Sequence, residues 1–172
     1  LESGQTWQDQ VVTGLEKDLA VIAEKKLLPE TTQNQISDFV EANKHVLEKQ
    51  DLALLYWDVG LDNIIVDEQG QMVGLIDFEH TGVVSIDFLL DIVQQMVRYP
   101  WLTVSPEVER FTDQKDYEHV MDWYKEFYPE LFDFPELETR LDLYEIEGIL
   151  RKLPSFPKAK QLHDRLQKIL GA

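Results

Sequence analysis

Hydrophobic residues recur at three- and four-residue steps in the N-terminal part of the chain, which is the period of an amphipathic helix. A first helix is predicted to end near Lys25, and Thr6 is its predicted N-cap. A second helix is predicted to begin at Pro29 or Glu30, since proline suits a first helical turn. The apolar faces of the two helices comprise Trp7, Val11, Leu15, Leu19 and Ile22, then Ile36, Phe39, Val40, Val46 and Leu47. Such stripes are typical of a packed core.

The period then shortens in the middle of the chain. Ala53–Tyr56, Asn63–Val66 and Met72–Ile76 are short runs rich in Leu, Ile and Val, which predicts strands. The last two runs flank the segment DEQGQ, where Gly70 can adopt the positive φ of a hairpin turn. A small β-hairpin is therefore predicted in this region.

The helical period returns from Asp87, and this helix is predicted to stop near Tyr99 because a proline follows. Three later helices are predicted on apolar positions that share a face: Val120, Tyr124 and Phe127; Leu137, Leu141, Tyr144 and Leu150; and Leu162, Leu166 and Ile169. The fold class is thus predicted to be α+β and mainly helical, and residues 1–172 suit one domain or a large part of one, with no internal repeat.

Composition excludes several classes of function. The 172 residues include no cysteine, which rules out disulfides and thiolate zinc sites, and the four histidines lack metal-ligand spacing. A net charge of −17 argues against nucleic-acid binding, and no apolar run is long enough to cross a membrane. A cytoplasmic location is expected. The acidic excess is explained either by solubility or by a cleft that attracts a cationic substrate.

Three polar residues interrupt the strand region in a pattern that suggests chemistry. Asp58 and Asn63 stand in D-x-x-x-x-N spacing between two predicted strands, and Asp77 ends the following strand. The hairpin folds Asn63 and Asp77 towards one another, and Asp58 leads into the same hairpin. An amide oxygen and a carboxylate are hard ligands for Mg²⁺, and a separate Asp can accept a proton in phosphoryl transfer. The alternative is a polar hairpin whose Asp and Asn side chains satisfy turn backbones.

At these residues the chain resembles the aminoglycoside phosphotransferase and choline kinase-like family, relatives of the protein kinases. The family's catalytic loop reads roughly H-G-D-x-x-x-x-N, and YWDVGLDN corresponds to it here. The resemblance implies that Asp58 is the catalytic base and that Asn63 and Asp77 bind Mg²⁺ and, through it, ATP. A later family element, close to G-D-P-x-x-D-L-A, resembles SIDFLLDIV and falls on Asp87 and Asp91. These two are expected to be structural, with Asp87 capping the next helix.

The chain departs from the family pattern in two ways. Tyr56 and Trp57 replace the family's His and Gly, which puts the substrate class in doubt. No two glycines have G-x-G spacing, and no V-A-I-K-like lysine precedes the catalytic loop. The resemblance therefore implies a C-terminal lobe without its N-terminal nucleotide-binding lobe. Such a chain is expected to fold and to be inactive by itself. The surface that normally meets the other lobe is expected to be exposed and partly apolar, with self-association as one outcome.

Two hypotheses about function follow. The first is an ATP-dependent phosphotransferase acting on a hydroxyl of a small molecule, such as an aminoglycoside or another amine-bearing substrate. Glu79, Glu145 and Glu147 either face that amine or simply lie on an exposed surface. The second is a non-catalytic kinase-like interaction module. The missing lobe and the altered Tyr56–Trp57 pair favour it, whereas the intact Asp58, Asn63 and Asp77 argue against it.

Overall fold

The computed structural model describes residues 5–58, 63–100, 104, 107 and 110–171. The helices are α1 (Trp7–Glu24), α2 (Glu30–Asn43), α3 (Phe88–Arg98), α4 (Val120–Phe127), α5 (Leu137–Lys152) and α6 (Lys160–Ile169). The strands are β1 (Leu52–Tyr56), β2 (Ile64–Val66), β3 (Met72–Leu75) and β4 (Thr81–Ser85). Short 3₁₀ helices cover Lys44–Leu47, Gln114–Tyr117 and Pro129–Phe132. The predicted α+β class with mainly helical content is confirmed.

The chain divides into two compact units. One combines Leu1–Gln50 with Phe134–Ala172 and contains α1, α2, α5 and α6. The other is Asp51–Asp133 and contains all four strands with α3 and α4. The predicted catalytic-loop residues lie in the second unit.

Local sequence explains where the first two helices begin. The Thr6 side chain accepts a hydrogen bond from the Asp9 amide, and the Asp9 carboxylate accepts one from the Thr6 amide, which forms a capping box. The predicted N-cap of α1 is therefore confirmed, as is its end at Lys25. Helix α2 begins at Glu30, directly after Pro29. The predicted apolar face of this helix runs on into the 3₁₀ helix, which holds the buried Val46 and Leu47.

The core of the helical unit combines apolar packing with a buried polar centre. The Trp7 indole packs edge-on against the Tyr144 ring at 5.9 Å between centroids, and its Nε1 donates to the Tyr144 hydroxyl at 2.7 Å. Arg140 is completely buried and donates to the carbonyl oxygens of Val46 and Lys49. These bonds join α1, the 3₁₀ helix and α5 within one unit.

The second unit contains two antiparallel strand pairs, β1 with β4 and β2 with β3. The β2–β3 hairpin confirms the predicted turn: the Asp67 carbonyl accepts from the Gly70 amide, and Gly70 has φ +77°. Strand β4 was not predicted from the sequence. Its segment TGVVS offers only two consecutive apolar residues, and its pairing with β1 is a long-range contact that local periodicity does not report.

Glu145 and Glu147 are neither on an exposed face nor available to a substrate, so both sequence interpretations of them are wrong. Both side chains are buried on α5. Glu145 accepts hydrogen bonds from Arg165 of α6, and Glu147 accepts one from Arg151, one turn later in its own helix. Buried carboxylates require such partners because desolvation of an unpaired charge is costly.

Burial of Glu147 predicts a measurable dependence of stability on pH. Burial raises the pKa of its carboxyl to about 7, while Arg151 lowers it and Asp18 raises it. The folded state therefore binds this proton more tightly than the unfolded state, whose carboxyl has its ordinary pKa. Stability is lost as pH rises from the ordinary glutamate pKa towards 7, by about 3 kcal/mol in total.

Glu147→Gln is expected to flatten this dependence, since the amide does not titrate. The measurement is the free energy of unfolding in urea at several pH values, with Glu24→Gln on the exposed end of α1 as the matched control. Equal pH slopes for Glu147→Gln and the parent chain would show that Glu147 titrates normally.

Candidate active site

The end of β1 carries the first predicted site residue out of the sheet. Tyr56 pairs with Thr81 of β4, and the Trp57 amide then donates to the His80 carbonyl at 3.1 Å. Asp58 follows immediately and is half-buried. The four residues between Asp58 and Asn63 lie outside the described residues. The antiparallel pairing therefore fixes the point at which Asp58 leaves the strand.

The β2–β3 hairpin brings the other two predicted residues to the same end. Ile64 pairs with Leu75, and the Asn63 carbonyl accepts from the Ile76 amide at 3.0 Å, which extends the ladder by one residue. Asp77 is the next residue. The Asn63 side-chain amide donates to the Asp58 carbonyl at 3.3 Å. Asn63 is thus bonded to Asp58 on one side and lies beside the segment that leads to Asp77 on the other.

Tyr56 interacts with the segments that carry these three residues, a role that its sequence position did not reveal. Its hydroxyl donates to the Ile76 carbonyl at 3.2 Å. Partial burial raises the pKa of the Tyr56 phenol, and a hydrogen bond with the Asn63 side chain opposes this. The negative charges of Asp58 and Asp77 raise the same pKa further. The phenol stays protonated at neutral pH and remains a hydrogen-bond donor.

Asp77 adopts a backbone conformation that is rare for residues other than glycine. Its φ is +63°, in the left-handed region. The preceding carbonyl is held by the Tyr56 hydroxyl, and the following Phe78 ring lies 5.6 Å from the Tyr56 ring. Non-glycine residues in this region carry a conformational cost and cluster at functional sites. The Tyr56 contacts on both sides of Asp77 explain how the conformation is maintained.

Trp57, which replaces the family's glycine, is turned towards β4 and α3. Its ring packs edge-on against Phe88 at 6.2 Å between centroids. It also covers Gly82, where a Cβ atom would lie 2.8 Å from the indole. A side chain at position 82 would collide with the indole, so this contact requires Gly82. Gly82 is therefore the sequence feature from which the position of the Trp57 ring could have been predicted.

The chemistry of the side chains fits a hard cation. The exposed Asp77 carboxylate makes no hydrogen bond or ion pair within the described part of the chain. The Asn63 side chain donates to the Asp58 carbonyl through its amide nitrogen. This hydrogen bond therefore does not involve the Asn63 amide oxygen. No group of three or more His, Cys, Asp or Glu side chains suited to a metal occurs among the residues described. A site of one carboxylate and one amide suits Mg²⁺, which keeps water and phosphate oxygens as further ligands.

The remaining acidic residues near the hairpin have different surroundings. Asp87 and Asp91 are buried, and they accept hydrogen bonds from Ser85 Oγ and from Gln95 Nε2 respectively. The prediction that both are structural agrees with these contacts. Asp87 is the N-cap residue of α3, as predicted, but its carboxylate makes no capping hydrogen bond to the helix. Glu79 is exposed, and its carboxylate lies 3.8 Å from His80 Nε2.

Comparison with known proteins gives one structural relative. No family model matches the sequence, and a comparison with curated proteins finds no match either. The fold is similar to that of a thermostable mutant of the aminoglycoside phosphotransferase APH(4)-Ia, solved as a ternary complex with AMP-PNP and hygromycin B. The TM-score is 0.58 at 17% identity, over 96% of this chain.

The chain spans about half the length of that relative, 51% of it. The matched portion is the C-terminal part of the kinase-like fold, as the sequence resemblance implied. At this level of identity the similarity establishes the fold alone. Among the residues that the structure describes, no helix is both long and apolar enough to cross a membrane.

The contacts of Tyr56 predict a role in positioning the site. In a full-length phosphotransferase of the kind that the sequence resemblance implies, Tyr56→Phe is expected to lower kcat by about tenfold while changing the KM for nucleotide little, because the loss of a supporting hydrogen bond misorients Asp77. The control is Tyr128→Phe, which removes an exposed hydroxyl outside the hairpin. Equal kcat values for the two variants would remove Tyr56 from the mechanism.

Proposed function

We propose that this chain is the C-terminal lobe of an ATP-dependent phosphotransferase that acts on a hydroxyl group of a small molecule. The observation that carries the proposal is a pair of hydrogen bonds at the ends of β1 and the β2–β3 hairpin: the Asn63 side chain donates to the Asp58 carbonyl, and the Tyr56 hydroxyl donates to the carbonyl of Ile76, the residue before Asp77. The kinase-like fold supports it, because the same fold in the relative accompanies nucleotide and aminoglycoside binding.

Each residue has a distinct proposed task. The Asp58 carboxylate accepts the proton of the attacking hydroxyl as phosphoryl transfer proceeds. Asn63 and Asp77 hold Mg²⁺ through their amide and carboxylate oxygens. When bound, the ion offsets the charge of the phosphate oxygens. The Tyr56 hydroxyl fixes the Ile76 carbonyl and so orients Asp77.

ATP itself requires parts that this sequence does not contain, since no G-x-G loop is present. We infer that an N-terminal lobe supplies the nucleotide-binding loop. The exposed hairpin supports this inference. Val66, Met72 and Val73 are between 56% and 63% exposed, which is more apolar surface than a solvent-facing hairpin needs. The length of the relative, about twice that of this chain, is consistent with a second lobe.

The proposed substrate carries an amine as well as a hydroxyl. Hygromycin B is bound in the structure of the relative. In this chain the net charge of −17 favours the approach of a cation, and Glu79 follows Asp77 by two positions with its carboxylate exposed. Glu145 and Glu147 take no part, because both are buried against arginines.

The test is an assay of the full-length gene product with Mg-ATP and a panel of aminoglycosides and simpler amino alcohols. The expected result is ADP formation that depends on the acceptor, with one phosphate transferred per ADP. Glu68→Ala, in the hairpin turn, should behave as the parent protein. Binding of Mg-ATP without transfer to any acceptor would reject the proposed substrate class, and absence of nucleotide binding would reject the phosphotransferase itself.

The exposed hairpin also supports a second candidate, a non-catalytic interaction module. In that case the apolar side chains of β2 and β3 contact a protein partner or a second copy of the chain. Val73→Lys on the exposed face distinguishes the two, because it would abolish association by a module. If the full-length protein is inactive and monomeric, and Val73→Lys leaves it unchanged, the interaction module is excluded together with the phosphotransferase.

A further inference from the structure

The indole of Trp57 is held by two elements of its own unit, one residue before Asp58. It packs edge-on against Phe88, the first residue of α3, with the ring planes at 85°. On β4 it lies so close to Gly82 that an added Cβ atom would come within 2.8 Å of the indole Cη2 and 3.0 Å of Cζ3. The ring therefore contacts both β4 and the start of α3, and its fit depends on the bare backbone at Gly82.

The backbone at Trp57 is fixed as well. The pairing of β1 with β4 ends at Tyr56 and Thr81, and the Trp57 amide then donates to the His80 carbonyl at 3.1 Å. A ring contact and a backbone hydrogen bond thus hold the same residue at the end of β1. The Cα atom of Asp58 follows that of Trp57 at the fixed spacing of about 3.8 Å across one trans peptide.

The Asp58 carboxylate has no comparable support of its own. Within the described part of the chain it makes no hydrogen bond or ion pair. The contacts of Asp58 are made by its backbone, whose carbonyl accepts from the Asn63 side chain at 3.3 Å. Trp57 precedes the Asp58 Cα atom and Asn63 bonds the carbonyl that follows it. The position of the carboxylate is therefore set by the backbone between these two anchors.

We propose that Trp57 is a positioning residue for the Asp58 carboxylate, and that Gly82 is the partner its ring requires. The role assigned to Trp57 rests on the proposed function, in which Asp58 accepts the proton of the attacking hydroxyl. A general base must lie within hydrogen-bond reach of that proton, and a misplacement of about 1 Å costs up to about 100-fold in rate. Trp57 acts through Asp58 and is not itself a catalytic group.

The first test adds one methyl group beneath the indole. In the full-length phosphotransferase of the proposed function, Gly82→Ala is expected to lower kcat by about 10- to 100-fold, because the new Cβ atom displaces the ring. The dissociation constant for Mg-ATP should change less than about twofold. The matched control is Gly74→Ala on β3, where a Cβ atom would lie 3.5 Å from Ile65 in ordinary contact. Its kcat should stay within about twofold of the parent.

The second test removes the ring with which the methyl group collides. Trp57→Leu should lower kcat by a similar factor, and adding Gly82→Ala to it should lower kcat no further, since the two substitutions act on one contact. The control for the loss of an indole is Trp123→Leu on α4, whose ring is 53% exposed. This variant should keep the kcat of the parent. A ring that serves stability alone would change kcat no more than Trp123 does.

Amide hydrogen exchange of the chain itself tests the contact without any assay of activity. The amide at position 57 should exchange at least about tenfold faster in Gly82→Ala than in Gly74→Ala, because its bond to the His80 carbonyl opens more often. Equal exchange rates would show that the indole does not hold the end of β1, and would overturn the role of Trp57.

The kinetic outcomes separate this role from the proposed function. If the parent transfers phosphate and Gly82→Ala keeps its kcat, the proposed function stands and the role of Trp57 is wrong. The same holds if Gly82→Ala lowers kcat equally with and without Trp57. If the parent transfers no phosphate to any acceptor, the proposed function fails and the role of Trp57 fails with it.

Discussion

Replacing Asp58 by alanine is expected to lower kcat of the full-length gene product by about 10²- to 10⁴-fold, the range typical of a general base. Nucleotide affinity should change little, since the base acts on the attacking hydroxyl and contributes to the chemical step rather than to ground-state binding. The measurement is ADP formation under saturating Mg-ATP, together with a direct titration of nucleotide. Both are made on the same preparation.

Glu68→Ala is the matched control for this prediction. It removes a carboxylate from the turn of the β2–β3 hairpin, where Glu68 is exposed and lies outside the proposed site. Its kcat should remain within about twofold of the parent, as for an ordinary surface substitution. If Asp58→Ala retains the turnover of Glu68→Ala, Asp58 is not the base and the assignment based on the sequence spacing fails.

The largest expected effect on stability comes from Arg140. Its guanidinium is fully buried and donates to the Val46 carbonyl, to the Lys49 carbonyl at 2.9 Å and to the Tyr144 hydroxyl at 3.2 Å. It also lies 4.5 Å from the centre of the Phe134 ring. Arg140→Met keeps the apolar stem but leaves buried carbonyl oxygens without a donor.

We expect Arg140→Met to reduce the free energy of unfolding by about 3 to 5 kcal/mol, measured by urea denaturation of the chain. Lys168→Met on the exposed surface of α6 is the control, and its effect should stay within about 0.5 kcal/mol. A loss below about 1 kcal/mol for Arg140→Met would show that water or a rearranged backbone replaces the guanidinium.

The helices could be predicted from sequence because their information is local. The Thr6 cap and the proline before α2 act within one turn, and the apolar stripes repeat along each helix. The fourth strand could not be predicted in the same way. Thr81–Ser85 becomes a strand only because β1, which begins 29 residues earlier at Leu52, offers it a partner.

Charged residues on α5 also show that burial cannot be predicted from local sequence alone. Glu145 and Glu147 have the sequence pattern of a solvent-facing surface, yet both are buried. Their burial depends on Arg165 from another helix and on Arg151 one turn away. Periodicity records hydrophobicity position by position, whereas the energy of a buried carboxylate is set by a partner that can be distant in sequence.

The candidate site, too, could be predicted from the sequence only in part. The spacing of Asp58 and Asn63, with Asp77 at the end of the next strand, predicts that the three come together, and Asn63 does bond the Asp58 carbonyl. The role of Tyr56 was not visible, since its hydroxyl bond to the Ile76 carbonyl spans 20 positions. The left-handed conformation of Asp77 could not be predicted either, because position 77 is not a glycine, the residue that usually indicates a positive φ.

In the proposed function, Asn63 and Asp77 hold the metal that accompanies ATP. Crystals of the full-length gene product grown with AMP-PNP and Mn²⁺ in place of Mg²⁺ test it most directly, because the anomalous signal of manganese locates the ion. We expect a peak in contact with the Asn63 amide oxygen and the Asp77 carboxylate, with the nucleotide phosphates as further ligands. A bound nucleotide whose manganese lies away from both side chains would contradict it.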